Sequence, residues 1–164
     1  MSEHIAKQPV TCCVITVSDT RTAETDKSGQ TIKDILQLAG HQVIDYQIVT
    51  DDRSAIQTAI HKGLEQSETE AILLNGGTGI SKRDVTYEVV EAILEKELPG
   101  FGELFRYVSY EYDIGPAAML SRAIAGTAND TALFSMPGST GAVKIAMEKL
   151  IIPQLSHIVK EIQK

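Results

Sequence analysis

Apolar residues along this chain fall into short runs that alternate with longer stretches of helical spacing. Residues 10–17 are apolar or β-branched throughout and predict a central strand buried on both faces. Residues 71–74 have the same character, whereas residues 41–49 alternate weakly and predict a strand nearer the edge of the sheet. Apolar positions recur at helical spacing over residues 32–39, 56–64, 85–93, 101–112 and 143–162.

The last third of the chain adds a pair of strands and a final helix. Residues 123–127 and 131–136 flank a polar turn and predict a hairpin with one strand antiparallel to the rest of the sheet. Pro153 divides the final helical stretch, which predicts two helices or one kinked helix. Together these elements predict an α/β fold, a three-layer α/β/α sandwich with a mostly parallel sheet. We expect a loose tail at residues 1–9 and a single domain over residues 10–164.

Composition and charge narrow the class of protein. The 164 residues carry a net charge of -7 and no lysine- or arginine-rich block, so nucleic acid binding is not expected. No apolar run reaches about 18 residues and the N-terminus is polar, so we expect a cytoplasmic protein without a membrane segment. Cys12 and Cys13 are adjacent on a predicted strand, where their side chains would face opposite sides. A disulfide between them is therefore not expected.

The stretch from residue 70 to residue 88 carries the main functional signal. A buried strand ends at Asn75, a glycine-rich loop follows, and a helical pattern starts after Asp84, which we place as the helix N-cap. Three glycines within four residues let backbone amides approach a ligand without an intervening Cβ. These amides, with the helix N-terminus and the cations Lys82 and Arg83, favour a phosphate or another anion. The alternative is that the loop only connects a strand to a helix and that Asp84 only caps.

This glycine-rich loop matches neither of two common nucleotide-binding motifs. Gly77-Thr78-Gly79 lacks the spacing of G-x-G-x-x-G, and no G-x-x-x-x-G-K-[ST] segment occurs in the chain. A nicotinamide-dependent reductase would carry the first motif after the first strand, where residues 17–21 lack it. The sequence therefore supports neither a dehydrogenase nor a P-loop nucleotidase.

Polar residues follow the predicted strands at the points where the strands end. Ligands of open α/β sheets bind at the carboxyl ends of the strands, so these polar clusters should share one rim. Helix capping is an alternative explanation for Asp51 and Asp52, and packing is one for Ser109 on its helical stripe. The five expected clusters are Ser18–Asp19, Asp51–Asp52, residues 76–84, Ser121–Arg122 and residues 135–139.

Several motifs, taken in order, resemble one protein family. They are Gly76-Gly77-Thr78-Gly79, Arg83-Asp84-Val85-Thr86, Pro99-Gly100-Phe101, Thr16-Val17-Ser18-Asp19-Thr20, residues 26–29, Met119-Leu120-Ser121-Arg122 and Met136-Pro137-Gly138. Their order and spacing, over nearly the whole chain, resemble the molybdenum cofactor biosynthesis family of MoaB and MogA. Each motif is weak alone, but the set is specific.

The resemblance implies a molybdopterin-binding fold that assembles into a homotrimer, sometimes into hexamers. Active family members use MgATP to adenylylate the terminal phosphate of molybdopterin, and pyrophosphate leaves. A MoeA-type partner then uses the product for molybdenum insertion. The alternative is a non-catalytic module that binds molybdopterin or its precursor and hands it over.

The resemblance and the loop chemistry together suggest roles for individual residues. Asp51 and Asp84 fall on the family's important acidic positions and are candidates for catalysis and for holding Mg²⁺ with ATP. Molybdopterin, as the substrate, would contact Gly76, Gly77, Thr78, Gly79, Ser81, Ser109, Ser121, Arg122, Ser135, Pro137, Gly138 and Ser139. The nucleotide would contact Ser18, Asp19, Ser28, Gly29 and Lys82.

Overall fold

The computed structural model describes residues 8–164, so most of the predicted tail at residues 1–9 lies outside the described residues. Within them, a six-stranded sheet has the order β2-β1-β3-β6-β5-β4. Strands β1, β2, β3 and β6 are parallel, and β5 is antiparallel to both of its neighbours. The predicted α/β fold, with one antiparallel strand in a mostly parallel sheet, is confirmed. The strands are β1 (Thr11–Val17), β2 (Gln42–Val49), β3 (Ala71–Asn75), β4 (Lys96–Glu97), β5 (Ile124–Ala128) and β6 (Thr131–Met136).

Helices cover both faces of the sheet and bury two separate cores. Helices α1, α4, α5 and α6 pack on one face, and α2 and α3 pack on the other. The α-helices are α1 (Lys27–Leu38), α2 (Arg53–Glu65), α3 (Thr86–Ile93), α4 (Pro99–Ser109), α5 (Thr140–Ile145) and α6 (Ile152–Ile162). None of the helices within residues 8–164 is both long enough and apolar enough to cross a membrane.

Strand β1 divides its side chains between these two cores. Cys12 lies in the core beneath α1, and Cys13 lies in the core beneath α2, because neighbouring side chains on a strand point to opposite faces. Both thiols are free, and burial raises the pKa of each, so both stay protonated at neutral pH. The expectation that the two cysteines face opposite sides is confirmed.

Two details between α3 and β5 differ from the sequence-based expectations. Lys96 and Glu97, read from the sequence as part of a helix stop, form the short strand β4 and pair with β5. A two-residue strand is too short to show a periodic pattern, which is why the sequence does not reveal it. Helix α4 starts at Pro99, since proline suits the first turn of a helix.

Helical structure continues after Ser109 until the chain reaches β5. A π-helical segment (Tyr110–Ile114) ends at Gly115, where φ is 62°, and a 3₁₀ helix (Gly115–Leu120) follows. The C-terminal region is one continuous helical path, because a π-helical segment (Ala146–Ile151) joins α5 to α6 just before Pro153. Such widened turns accommodate the backbone bond that proline cannot make.

Candidate functional site

The predicted polar clusters meet at one edge of the sheet. The loops after β1, β2, β3 and β6 all leave the sheet at this edge, and the antiparallel strand β5 starts there. The Asp19 carboxylate accepts a hydrogen bond from the Asp51 amide at 3.0 Å. Arg122 Nε donates to the Gly79 carbonyl at 2.9 Å, and the Cα of Gly76 is 3.3 Å from where a Cβ of Gly138 would stand. The edge therefore assembles residues from all five clusters.

The loop after β3 requires glycine at its first two positions. Gly76 and Gly77 have φ values of 105° and 69°, in the left-handed region that other residues rarely adopt. A Cβ at Gly76 would collide with the Val17 carbonyl, and one at Gly77 would collide with Thr86 Oγ1. The glycines therefore allow the loop to pass directly over the end of β1 and the start of α3.

Three carbonyl groups of this loop accept hydrogen bonds from other segments of the chain. Gly77 O accepts from the Thr86 amide at 3.2 Å, and Thr78 O accepts from the Arg122 amide at 2.9 Å. Gly79 O accepts from Arg122 Nε, so three successive carbonyls of the loop are hydrogen-bonded. The amides of residues 77–80 donate to none of residues 8–164. In a trans peptide the N–H points opposite to the C=O, so the amides of residues 78–80 point away from the groups that hold these carbonyls. We call residues 77–80, with their unbonded amides, the nest.

Asp84 closes a turn within this loop, and its predicted role as the N-cap of α3 is wrong. The N-cap position of α3 is Val85, and no side chain bonds there. Instead, one Asp84 carboxylate oxygen accepts from the Ser81 amide at 3.0 Å and from the Ser81 hydroxyl at 2.7 Å. The Thr86 amide donates to Gly77 O of the loop, and α3 begins at Thr86, two residues after Asp84. Ser81, Lys82, Asp84 and Arg122 line a cavity of about 310 Å³.

Asp51, in the loop after β2, is a second acidic residue next to the glycine loop. Its neighbour Asp52 caps α2 by accepting from the Ala55 amide at 2.9 Å, so capping accounts for Asp52 alone. The Asp51 Oδ1 atom is 3.1 Å from where a Cβ of Gly77 would stand. Burial, the charge of Asp19 and the charge of Asp84 raise the pKa of Asp51, although Arg83 opposes them. The site therefore concentrates negative charge beside the nest.

The carboxylates of Asp51 and Asp84 fit a divalent cation whose remaining ligands come from substrate oxygens and water. Within residues 8–164, no three or more His, Cys, Asp or Glu side chains come together as a complete metal site. Mg²⁺ usually takes one or two carboxylates and completes its shell with phosphate oxygens and water. Asp51 and Asp84 supply two such carboxylates, and the charge of Asp84 adds to burial and to the charge of Asp19 in raising the pKa of Asp51.

Three predicted contact residues carry buried hydroxyls without a partner. The Oγ atoms of Ser109, Ser121 and Ser135 are buried and make no hydrogen bond to any described residue. The small size of serine explains why it fits in the packing, but not these unpaired hydroxyls. A buried unpaired polar group costs about 1–3 kcal/mol, so each hydroxyl calls for a partner from outside the chain, such as a water molecule or a ligand. Asn75 Oδ1 and Thr86 Oγ1 share this property. The sequence predicts no role for Asn75 or Thr86, although a polar residue at the end of a buried strand, such as Asn75, is a usable signal.

Other predicted contacts already bond within the protein. Ser28 Oγ donates to the Gly138 carbonyl at 2.6 Å, and the Gly29 amide donates to Asp26 at 3.0 Å. Ser139 caps α5 by accepting from the Ala142 amide at 3.2 Å, and Pro137 precedes it in the same turn. Ser18 Oγ accepts from the amide of Arg21, whose side chain donates to Gly138 O at 2.8 Å. Arg21 was not among the predicted residues, although it lies two positions after Asp19.

The fold and the rim define an α/β domain of the class that binds ligands at the carboxyl edge of the sheet. Residues 13–157 match the family described as "Probable molybdopterin binding domain", and the chain belongs to this family. The resemblance seen in the motifs is thereby confirmed.

Relatives over the full length agree with this assignment. The chain is 56% identical over 159 residues to molybdenum cofactor biosynthesis protein B of Halalkalibacterium halodurans, covering 97% of this chain and 94% of that protein. A crystal structure of molybdenum cofactor biosynthesis protein B is 56% identical, with a TM-score of 0.94 over 96% of this chain and 98% of that one. The tungsten cofactor synthesizing protein MoaB from Pyrococcus furiosus is 36% identical, with a TM-score of 0.85 over 97% and 100%. The chain is thus a member of the molybdenum cofactor biosynthesis protein family.

Proposed function

We propose that this protein uses MgATP to adenylylate molybdopterin. The observation that carries the proposal is the nest of residues 77–80, whose free amides lie beside the Asp51 carboxylate. Free amides suit a phosphate, and a nearby carboxylate suits the cation that accompanies ATP. Membership of the family supports molybdopterin as the phosphate-bearing partner.

The reaction joins two phosphates. An oxygen of the terminal phosphate of molybdopterin attacks the α-phosphorus of ATP and forms a new P–O–P bond. The bond from the α-phosphorus to the oxygen that bridges to the β-phosphate breaks, and pyrophosphate leaves with that electron pair. Because the attacking oxygen is already anionic, no strong general base is needed, and positioning with charge stabilisation supplies the catalysis.

The chain's own residues divide this work. The amides of residues 77–80 would hold a phosphate, and the unpaired hydroxyls of Ser109, Ser121 and Ser135 would accept or donate hydrogen bonds to the pterin. Asp51 and Asp84 would hold Mg²⁺, which would neutralise the charge of the phosphates. Lys82 lines the adjacent cavity and adds a positive charge there.

A second candidate function is binding and transfer without catalysis. The nest and the three unpaired hydroxyls would supply binding groups that need neither carboxylate. In this alternative the protein would hold molybdopterin or its precursor and deliver it to another protein. In both cases a MoeA-type insertion protein would receive the ligand.

The protein's exposed apolar surface supports self-association. Of the ten large apolar side chains that are exposed within residues 8–164, seven lie between Leu104 and Leu120. These seven are Leu104, Tyr107, Tyr110, Tyr112, Ile114, Met119 and Leu120, which we call the 104–120 surface. Aromatic and apolar side chains are favoured at interface cores, so a second copy would cover this surface in a homotrimer or a hexamer.

One labelling experiment separates the two functions. Purified protein is mixed with Mg²⁺, molybdopterin and ATP labelled at the α-phosphorus. Adenylylation places the label in the pterin product, whereas ATP labelled at the γ-phosphorus, as the matched control, must release its label in pyrophosphate. Molybdopterin that is retained by the protein, with all of the label still in ATP, would contradict catalysis and support the binding function.

A further inference from the structure

Arg122 holds the glycine loop at both of its ends. Its backbone amide donates to Thr78 O and its Nε donates to Gly79 O, both at 2.9 Å. Its Nη2 donates to Asp84 O at 3.0 Å. One residue just before β5 therefore binds three carbonyls of the segment that connects β3 to α3.

Glu88 occupies the remaining side of the Arg122 guanidinium. Its two carboxylate oxygens accept from Nη1 and Nη2, the second at 3.3 Å. The hydrogen bond from Arg122 lowers the pKa of Glu88, so the carboxylate stays ionised at neutral pH. All three guanidinium nitrogens thus donate to protein oxygens, and only one of the five N–H groups of the side chain is left for a phosphate.

We infer that Arg122 is a positioning residue, which orients the phosphate-binding amides and does not bind the phosphate itself. Holding the carbonyls of Thr78 and Gly79 turns the amides of Gly79 and Ile80 to the opposite side of each peptide plane. Glu88 acts through Arg122 by fixing the direction of its guanidinium. This inference rests on the proposed role of residues 77–80 in phosphate binding.

The substitution Glu88→Gln distinguishes positioning from direct charge. It removes one negative charge from the rim and releases the Arg122 fork. If Arg122 acted by its charge on the phosphate, the variant would bind inorganic phosphate more tightly. If Arg122 positions the loop, the variant binds phosphate more weakly by about tenfold or more, the scale typical of outer-shell partners of a bound ion.

The readout is the change in the amide signals of residues 78–80 when inorganic phosphate is titrated into ¹⁵N-labelled protein. Arg122→Lys keeps the charge but loses the fork, and we expect a similar weakening, with these amide signals shifted even without phosphate. Arg53→Lys is the matched control, because Arg53 lines the same cavity, makes no hydrogen bond to the loop and, as lysine, keeps the positive charge that acts on Glu88. We expect its phosphate affinity to change less than about twofold.

Each result has one meaning. Tighter or unchanged phosphate binding in a folded Glu88→Gln variant would overturn the positioning role while leaving the nest intact. Full rescue by Arg122→Lys would also overturn it. If phosphate moves none of these amide signals in the unmodified protein, the nest itself fails, and the inference fails with it.

Discussion

The Arg83 guanidinium and the Asp19 carboxylate form a bidentate ion pair that connects the glycine loop to the end of β1. Nε and Nη2 donate to the two carboxylate oxygens at 3.1 and 2.9 Å. One of these oxygens also accepts from the Asp51 amide, so three loops meet at Asp19. The pair is exposed and contributes little to stability. The ion pair instead affects the pKa of Asp51, which the charge of Asp19 raises and the charge of Arg83 lowers.

Asp19→Asn should lower the pKa of Asp51. The substitution removes a negative neighbour and releases Arg83, and both changes favour the ionised form of Asp51. A ¹³C carboxyl titration by NMR measures this directly. Asp52→Asn is the control, because Asp52 is not among the groups that shift Asp51 and asparagine keeps the cap. An unchanged or higher pKa in Asp19→Asn would contradict the prediction.

Asp51→Asn should raise thermal stability at neutral pH while reducing turnover. The folded pKa of Asp51 is raised, so the stability linked to its proton is complete below the ordinary value of 3.8 and is lost as the pH rises through the folded pKa. The neutral amide avoids this loss, so the gain in Tm should be present at pH 7.5 and shrink on acidification. If the adenylylation proposal is right, turnover falls roughly 10²-fold. A lower Tm at pH 7.5 would show that the carboxylate makes a stabilising contact.

If the adenylylation proposal is right, Asp84→Asn should reduce turnover by roughly 10²-fold and leave the global melting curve nearly unchanged. The carboxylate does not cap α3, so helix stability does not depend on it. Ser81→Ala is the matched control, because it removes one hydrogen bond to Asp84 but keeps the charge. We expect Ser81→Ala to retain most of its turnover. Equal losses in the two variants would show that the turn, and not the charge, is what matters.

Ser135→Ala and Ser109→Ala should weaken molybdopterin binding without destabilising the ligand-free protein. Each hydroxyl is buried and has no partner among the described residues, so removing it sacrifices no hydrogen bond. Binding should weaken by about 1–3 kcal/mol for each lost contact, as measured by titration. Thr131→Val is the contrast, since Thr131 Oγ1 donates to Asn129 O at 3.1 Å, far from the rim. It should lower Tm and leave binding intact, and the reverse pattern would exclude the serines from the site.

If the protein associates through the 104–120 surface, Tyr107→Glu or Met119→Glu should convert it into monomers. Both side chains belong to the 104–120 surface, and burying an unpaired carboxylate in an interface is costly. Light scattering at micromolar concentration reports the mass of the particle. Leu38→Glu is the control, because Leu38 is 81% exposed but lies outside this surface, at the end of α1. A monomeric unmodified protein, or variants with unchanged mass, would exclude this surface as the interface.

Local sequence patterns were sufficient for much of the architecture. Residues 10–17 and 71–74 are continuous apolar runs because their strands are buried on both faces, and the helices show apolar stripes because only one side of each faces the sheet. The rim was also predictable, since parallel strands end at the same edge. Even the opposite burial of Cys12 and Cys13 follows from the two-residue period of a strand.

Only the tertiary structure decided what each rim residue does. Asp84 stands where a helix cap is expected, but its carboxylate accepts hydrogen bonds from Ser81. Ser28 was expected to contact the nucleotide, but its hydroxyl donates to the carbonyl of Gly138, 110 positions away. Arg122 and Gly79 are 43 positions apart, and nothing local to either residue indicates that one holds the other. The physical reason is that hydrophobic periodicity is a property of neighbouring residues and is written in the local sequence. Hydrogen-bond partners between loops are chosen only when packing of the sheet brings distant segments together.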